Sequence, residues 1–215
     1  MNYNATLFHE NFSSLVKSAL VENLRLATFA VDSFWIGNLD FLDEAEVELY
    51  PLLLNYAVQK QLRHMVSGAS GISGLSERKL NGYGAKTVCI ETPDYVLNVC
   101  RTRSPMSLPP KAKYKTAFAA GNREDQQQME LQLLDNGELT TITPKRYAIL
   151  GYRFYRGNMI HAQILVPDYR FENILFSENL LPMFQMTPSN VFTVDAEEQI
   201  TTLKQDMLVH LKKVK

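Results

Sequence analysis

The 215 residues are 46% hydrophobic and 21% charged with a formal net charge of −1, a globular composition too apolar for a disordered chain. No run approaches the roughly 18 uninterrupted apolar residues of a membrane helix, and the start MNYNATLFHENFSSL lacks the basic stretch and apolar core of a secretory signal. Two cysteines make no disulfide framework, so the chain reads as a cytoplasmic protein with no membrane partner.

Charge is unevenly spread. Residues 1–50 hold eight acids against Lys17 and Arg25, whereas residues 60–115 hold ten bases against three acids. Lys145, Arg146, Arg153 and Arg156 follow within twelve residues that contain no acid. Such a split marks an anionic partner or sets up attraction between the two ends inside the fold.

Helical spacing of Val16, Leu20, Leu24, Ala27 and Val31 predicts a first helix over Ser13–Val31, with Lys17, Ser18, Glu22 and Arg25 on another face. Asp43, Glu44 and Glu46 resemble a helix start. Because proline suits a first turn, the main second helix is expected over Pro51–Val66, burying Leu54, Val58, Leu62 and Met65. A loop with five glycines in twenty residues, SGASGISGLSERKLNGYGAK, comes next. Three hairpins follow. KTVCIETPDYVLNVCRT turns at Pro93-Asp94 and, with Thr92 opposite Tyr95, places Val88, Ile90, Leu97 and Val99 on one face. MELQLLDNGELTTI turns at Asn136-Gly137, although Asn122, Glu124 and Asp125 could instead start a helix. YAILGYRFYRGNMIHAQILV turns at Arg156-Gly157. A last helix, capped by Asp195, buries Ile200, Leu203, Met207, Leu211 and Val214. The fold class is therefore α+β in a single domain, 1–215: a helical part at about 1–66, a mainly β part at about 86–166 and a C-terminal helix at about 195–214. The three hairpins form one antiparallel sheet covered by two N-terminal helices and the C-terminal one.

Most chemical motifs fail on spacing. NGYGAKT has the glycines and lysine of a phosphate loop, but Ala85 separates Gly84 from Lys86, and a strand follows where a helix N-terminus is required. Ser70 and Ser73 sit in no nucleophile elbow. His9, His64, His161 and His210 lack ligand partners at three- or four-residue spacing, and Cys89 faces Asn98 rather than Cys100, so no metal or cofactor is expected. A metal-dependent nuclease would need an acid, then acid-x-lysine on the next strand. Asp94 with Glu130-Leu131-Gln132 comes nearest, with Gln132 where lysine should stand. No catalytic residue is assigned.

Two segments suggest binding. In RTRSPMSLPPKAKYK, the cations Arg101, Arg103, Lys111, Lys113 and Lys115 flank Tyr114 on a loop held extended by prolines. Cations can track phosphates while an aromatic ring stacks on a base; a solvated lysine loop has the same composition. In QMELQLL, Gln128, Leu131, Leu133 and Leu134 resemble the short peptide by which many bacterial proteins dock on the replication sliding clamp, with leucine at both terminal hydrophobic places. An amphipathic core strand fits the same seven residues. The expected function is a non-enzymatic binding protein acting on nucleic acid or a nucleic-acid-handling complex. The alternatives are a metal-dependent nuclease with a degenerate site, or a protein–protein module such as one partner of a toxin–antitoxin or regulatory pair.

Overall fold

The computed structural model describes residues 5–38, 46–67, 75–77, 87–123, 130–133, 139–142, 144–155, 158–186 and 194–214. Among these the helices are α1 (Ala5–Asn11), α2 (Ser14–Ile36), α3 (Glu46–Ser67), α4 (Lys113–Ala119), α5 (Leu181–Met186) and α6 (Val194–Val214). The strands are β1 (Ser76–Glu77), β2 (Cys89–Glu91), β3 (Tyr95–Arg101), β4 (Glu130–Leu133), β5 (Leu139–Ile142), β6 (Arg146–Tyr155), β7 (Asn158–Pro167) and β8 (Ile174–Asn179). They fall into two units: Met1–Asn11, Gly74–Arg153 and His161–Asn179 form the first; Phe12–Ser73, Phe154–Ile160 and Leu180–Lys215 form the second. No helix among the described residues is long and apolar enough to cross a membrane.

In the second unit, Ser13 starts α2: its hydroxyl accepts the Val16 N–H at 3.4 Å, while its carbonyl accepts the Lys17 N–H. Val16, Leu20, Leu24, Ala27 and Val31 are buried, as their spacing requires. Lys17 and Arg25, placed by the same spacing on another face, are buried too. The reason is that α2 packs against α3, α5 and α6, which leaves little of its circumference to solvent. Long side chains can lay their stems on apolar neighbours, and Arg25 reaches Glu22 at 3.7 Å. The second helix begins at Glu46 rather than Pro51, with the proline inside it at the cost of one backbone bond. Leu54, Val58, Leu62 and Met65 are its buried stripe, and Lys60 pairs with Asp206 of α6. Ile200, Leu203 and Met207 anchor α6, while the side chains of Asp195, Leu211 and Val214 lie outside the described residues.

The first unit holds a six-stranded sheet in the order β1-β2-β3-β6-β7-β8. Cys89 opposite Asn98, Ile90 opposite Leu97 and Glu91 opposite Val96 give the register that the alternation predicts, closed by the Thr92 N–H on the Tyr95 carbonyl at 2.9 Å. The expectation of one antiparallel sheet made from three hairpins needs correction. β3 pairs with β6 in parallel, from Tyr95 opposite Arg146 to Arg101 opposite Tyr152. The β4–β5 hairpin forms a separate two-stranded sheet, so the alternative helix start at Asn122 does not extend through 130–133. The physical cause is the crossover: the chain leaves β3, forms α4 across one sheet face and returns in the original direction. That face buries Cys89, Val96, Tyr147, Ile149 and Leu165 against Ala119 and Phe118. On the opposite face Phe8 of α1 packs edge-on against Tyr95 and lies against Phe176. The turn centres 136–137 and 156–157 lie outside the described residues, as do both glycine motifs, NGYGAKT up to Lys86 and GASGISG.

Candidate functional site

Asn98, at the centre of β3, is fully buried, and burial makes its polar atoms costly unless they are bonded. Its amide donates to the Thr87 hydroxyl at 3.1 Å and the Val88 carbonyl at 3.3 Å. Its carbonyl oxygen accepts from the hydroxyls of Tyr147 at 3.2 Å and Tyr114 at 3.4 Å, and from the Cys100 thiol. Burial first, then the neighbouring thiols, push the Tyr114 and Tyr147 phenols well above their ordinary range. Desolvation pushes the Cys100 thiol up to about 11, although Lys115 beside it acts the other way. These groups stay protonated at neutral pH, so the network supplies neutral hydrogen bonds rather than a nucleophile.

This network decides where the predicted cations go. The segment expected to be an extended basic loop becomes helical at Lys113. Tyr114 is half-buried and turned toward Asn98, and Lys115 is buried with its ammonium on the Pro110 carbonyl at 3.1 Å. Lys111 and Lys113 remain exposed and, with Ala112, Thr116 and Ala117, line an open depression of about 500 Å³. Lys111 reaches Glu172 at 3.2 Å, which ties it to the loop between β7 and β8. Arg101 and Arg103 are exposed at the far end of β3, where the Arg103 carbonyl accepts a bond from Arg153. Lys111 and Lys113 therefore line one depression, and Arg101 and Arg103 are not among its lining residues.

Three residues that sequence reasoning missed complete the basic surface: Arg123, Tyr169 and Arg170. The Asn122 amide donates to the carbonyls of Tyr147 at 2.9 Å and Pro167 at 2.7 Å, while its oxygen accepts the Tyr147 N–H at 2.7 Å. This staple sets Arg123 beside the β7–β8 loop, with its guanidinium 5.4 Å from the centre of the Tyr169 ring. Arg170 lies 5.2 Å from the same ring and donates from Nε to the Tyr169 hydroxyl at 2.8 Å. The loop itself is heavily bonded. The Asp168 carboxylate accepts the Glu172 N–H at 2.7 Å and the Asn173 amide at 2.8 Å, and the Phe171 N–H donates to the Asp168 carbonyl. Burial opposes ionisation of Asp168, but the bonds from Glu172, Asn173 and Arg170 outweigh it and hold the carboxyl below its ordinary range. Phe171 has a φ of 57° and is 2% exposed; a left-handed conformation at a bulky residue costs of order 1–3 kcal/mol and persists only where packing enforces it. Asp168 and Asn173, bracketing a tyrosine and an arginine between two β runs, were the available sequence signal.

The remaining expected sites fare as follows. Leu131 and Leu133 lie on β4, opposite Thr141 and Leu139, while Gln128, Leu134 and the side chains of β4 lie outside the described residues. Asp94 is engaged by Asn11, which donates to its carboxylate at 2.8 Å and accepts its N–H at 3.0 Å. Among the described residues no group of three His, Cys, Asp or Glu is placed to hold a metal ion. Thr102 and His161, both buried, share a hydrogen bond of 2.7 Å; burial, then the Arg153 charge, lowers the imidazole pKa. Comparison of the chain with protein-family models, with curated proteins and with solved structures finds no match.

Proposed function

We propose that this chain is a non-enzymatic nucleic-acid-binding protein whose contact surface is formed by Lys111, Lys113, Arg123 and Arg170. One observation carries the reading: Arg123 and Arg170 meet at Tyr169, a ring that is 36% exposed, and Lys111, beside Lys113, reaches Glu172 of the same loop. Among the described residues the acids of that surface are Asp168 and Glu172, and Asp168 is engaged by its own loop. A net positive surface of this kind attracts a phosphate chain, because each neutralised phosphate releases a condensed counterion. Arginine also offers a planar donor fork that matches phosphate oxygens.

The test is fluorescence anisotropy with a labelled oligonucleotide across a salt series. Four phosphate contacts give a log–log slope of about −3 to −4. The triple variant Lys111→Glu, Lys113→Glu, Arg123→Glu is expected to lose binding with its melting temperature nearly unchanged, since all three side chains are exposed. A wild-type protein with no affinity at low salt defeats the proposal.

A further inference from the structure

The β7–β8 loop is built to present a ring. Phe171 is locked inside the core in a conformation that phenylalanine avoids, and the Asp168 carboxylate closes the loop with two hydrogen bonds. Between these anchors Tyr169 and Arg170 are exposed. Strain of this kind at a buried residue, two positions from the exposed ring of Tyr169, is a mark of a preorganised contact. Arg170 bonds the phenol oxygen rather than covering the ring alone, and Arg123 arrives from a different segment.

Resting on the nucleic-acid reading above, we infer that Tyr169 is a stacking platform for an unpaired base, and that the preferred ligand is single-stranded. A ring gains stacking energy only from a base whose face is free, and paired bases inside a duplex have none to offer. The two guanidinium groups stand over the ring, 5.4 and 5.2 Å from its centre, so a base stacks on the part of the ring they leave exposed and its flanking phosphates run within their reach. Duplex could use the same cations but not the ring.

The experiment compares wild type, Tyr169→Phe and Tyr169→Ala on a single-stranded oligonucleotide of about 12 nucleotides and on a duplex of equal length. Tyr169→Phe keeps the ring and loses only the bond to Arg170, so its single-strand affinity should stay within about twofold of wild type. Tyr169→Ala should weaken single-strand binding by about tenfold or more and leave duplex binding unchanged. Thermal melting of each variant controls for folding, and Tyr169 is exposed enough that no large shift is expected. Equal single-strand affinity of wild type and Tyr169→Ala, or equal losses on both ligands, overturns the stacking role while salt-dependent binding stands. Absence of wild-type binding to either ligand at low salt overturns the nucleic-acid reading itself.

Discussion

Asn122→Ala is a stringent test of how the basic surface is held in place. The side chain makes three bonds of 2.7–2.9 Å, one accepted from the Tyr147 N–H and two donated to the carbonyls of Tyr147 and Pro167. Asn122 is 7% exposed, so water cannot readily replace them. Each bond contributes roughly 1 kcal/mol net, and leaving the buried Tyr147 N–H without a partner adds about 1–3 kcal/mol. The expected loss is therefore about 4–6 kcal/mol, a large part of the roughly 5–15 kcal/mol that holds a domain folded. Urea denaturation followed by circular dichroism reads it directly, with an unchanged m-value showing that the same surface unfolds. Asn122→Asp sharpens the test. Its carboxylate keeps an acceptor for Tyr147 but faces two carbonyl oxygens with no proton to offer, so at neutral pH it should cost at least as much. Acidification returns a proton, and the gap to wild type should narrow as pH falls. A loss below about 1 kcal/mol for Asn122→Ala would refute the staple.

Val99→Asp, at a position 1% exposed on a strand paired on both sides, should leave no soluble folded protein; an unchanged melting temperature would show the β2–β3 register to be wrong. A methyl group at Gly121 would stand 2.4 Å from the Lys145 carbonyl oxygen, so Gly121→Ala should cost about 1–3 kcal/mol in thermal denaturation. His161 has a lowered folded pKa, so the unfolded chain binds the proton first. Stability should be fullest above the ordinary histidine value of about 6.5 and decline as pH falls through and below it, and His161→Gln should flatten that slope in denaturation curves at pH 5 and pH 7.

The local half of the fold is legible in the sequence. Apolar residues at helical spacing locate α2, the greater part of α3 and α6, and alternation around Pro93-Asp94 fixes the β2–β3 register. What escapes is what depends on distant partners. Asn98 looks like an exposed position on an alternating strand, yet α4 covers it and the Tyr114 and Tyr147 hydroxyls satisfy its oxygen. Lys115 reads as one more solvated cation until the helix that contains it turns it inward to Pro110. The same limit applies to the basic surface: Arg123 and Tyr169 are 46 positions apart in the numbering, and only the Asn122 bonds to β6 and β7 make them neighbours. α1 and β8 were missed because each is short and draws its burial from the other through Phe8 and Phe176.

The parallel pairing of β3 with β6 has a consequence for how the chain reaches its native state. Each paired position is separated by 51 residues, as Tyr95 and Arg146 are. The β2–β3 hairpin and the β6–β7–β8 meander can each close through local contacts, but the seam between them waits for a long loop to find its register. Loops of this kind slow folding, and slow closure leaves unpaired strand edges exposed to other chains. Closure entropy grows only logarithmically, so doubling that crossover would cost about 0.6 kcal/mol. Inserts between β4 and β5 should therefore delay acquisition of the fold far more than they weaken it once formed.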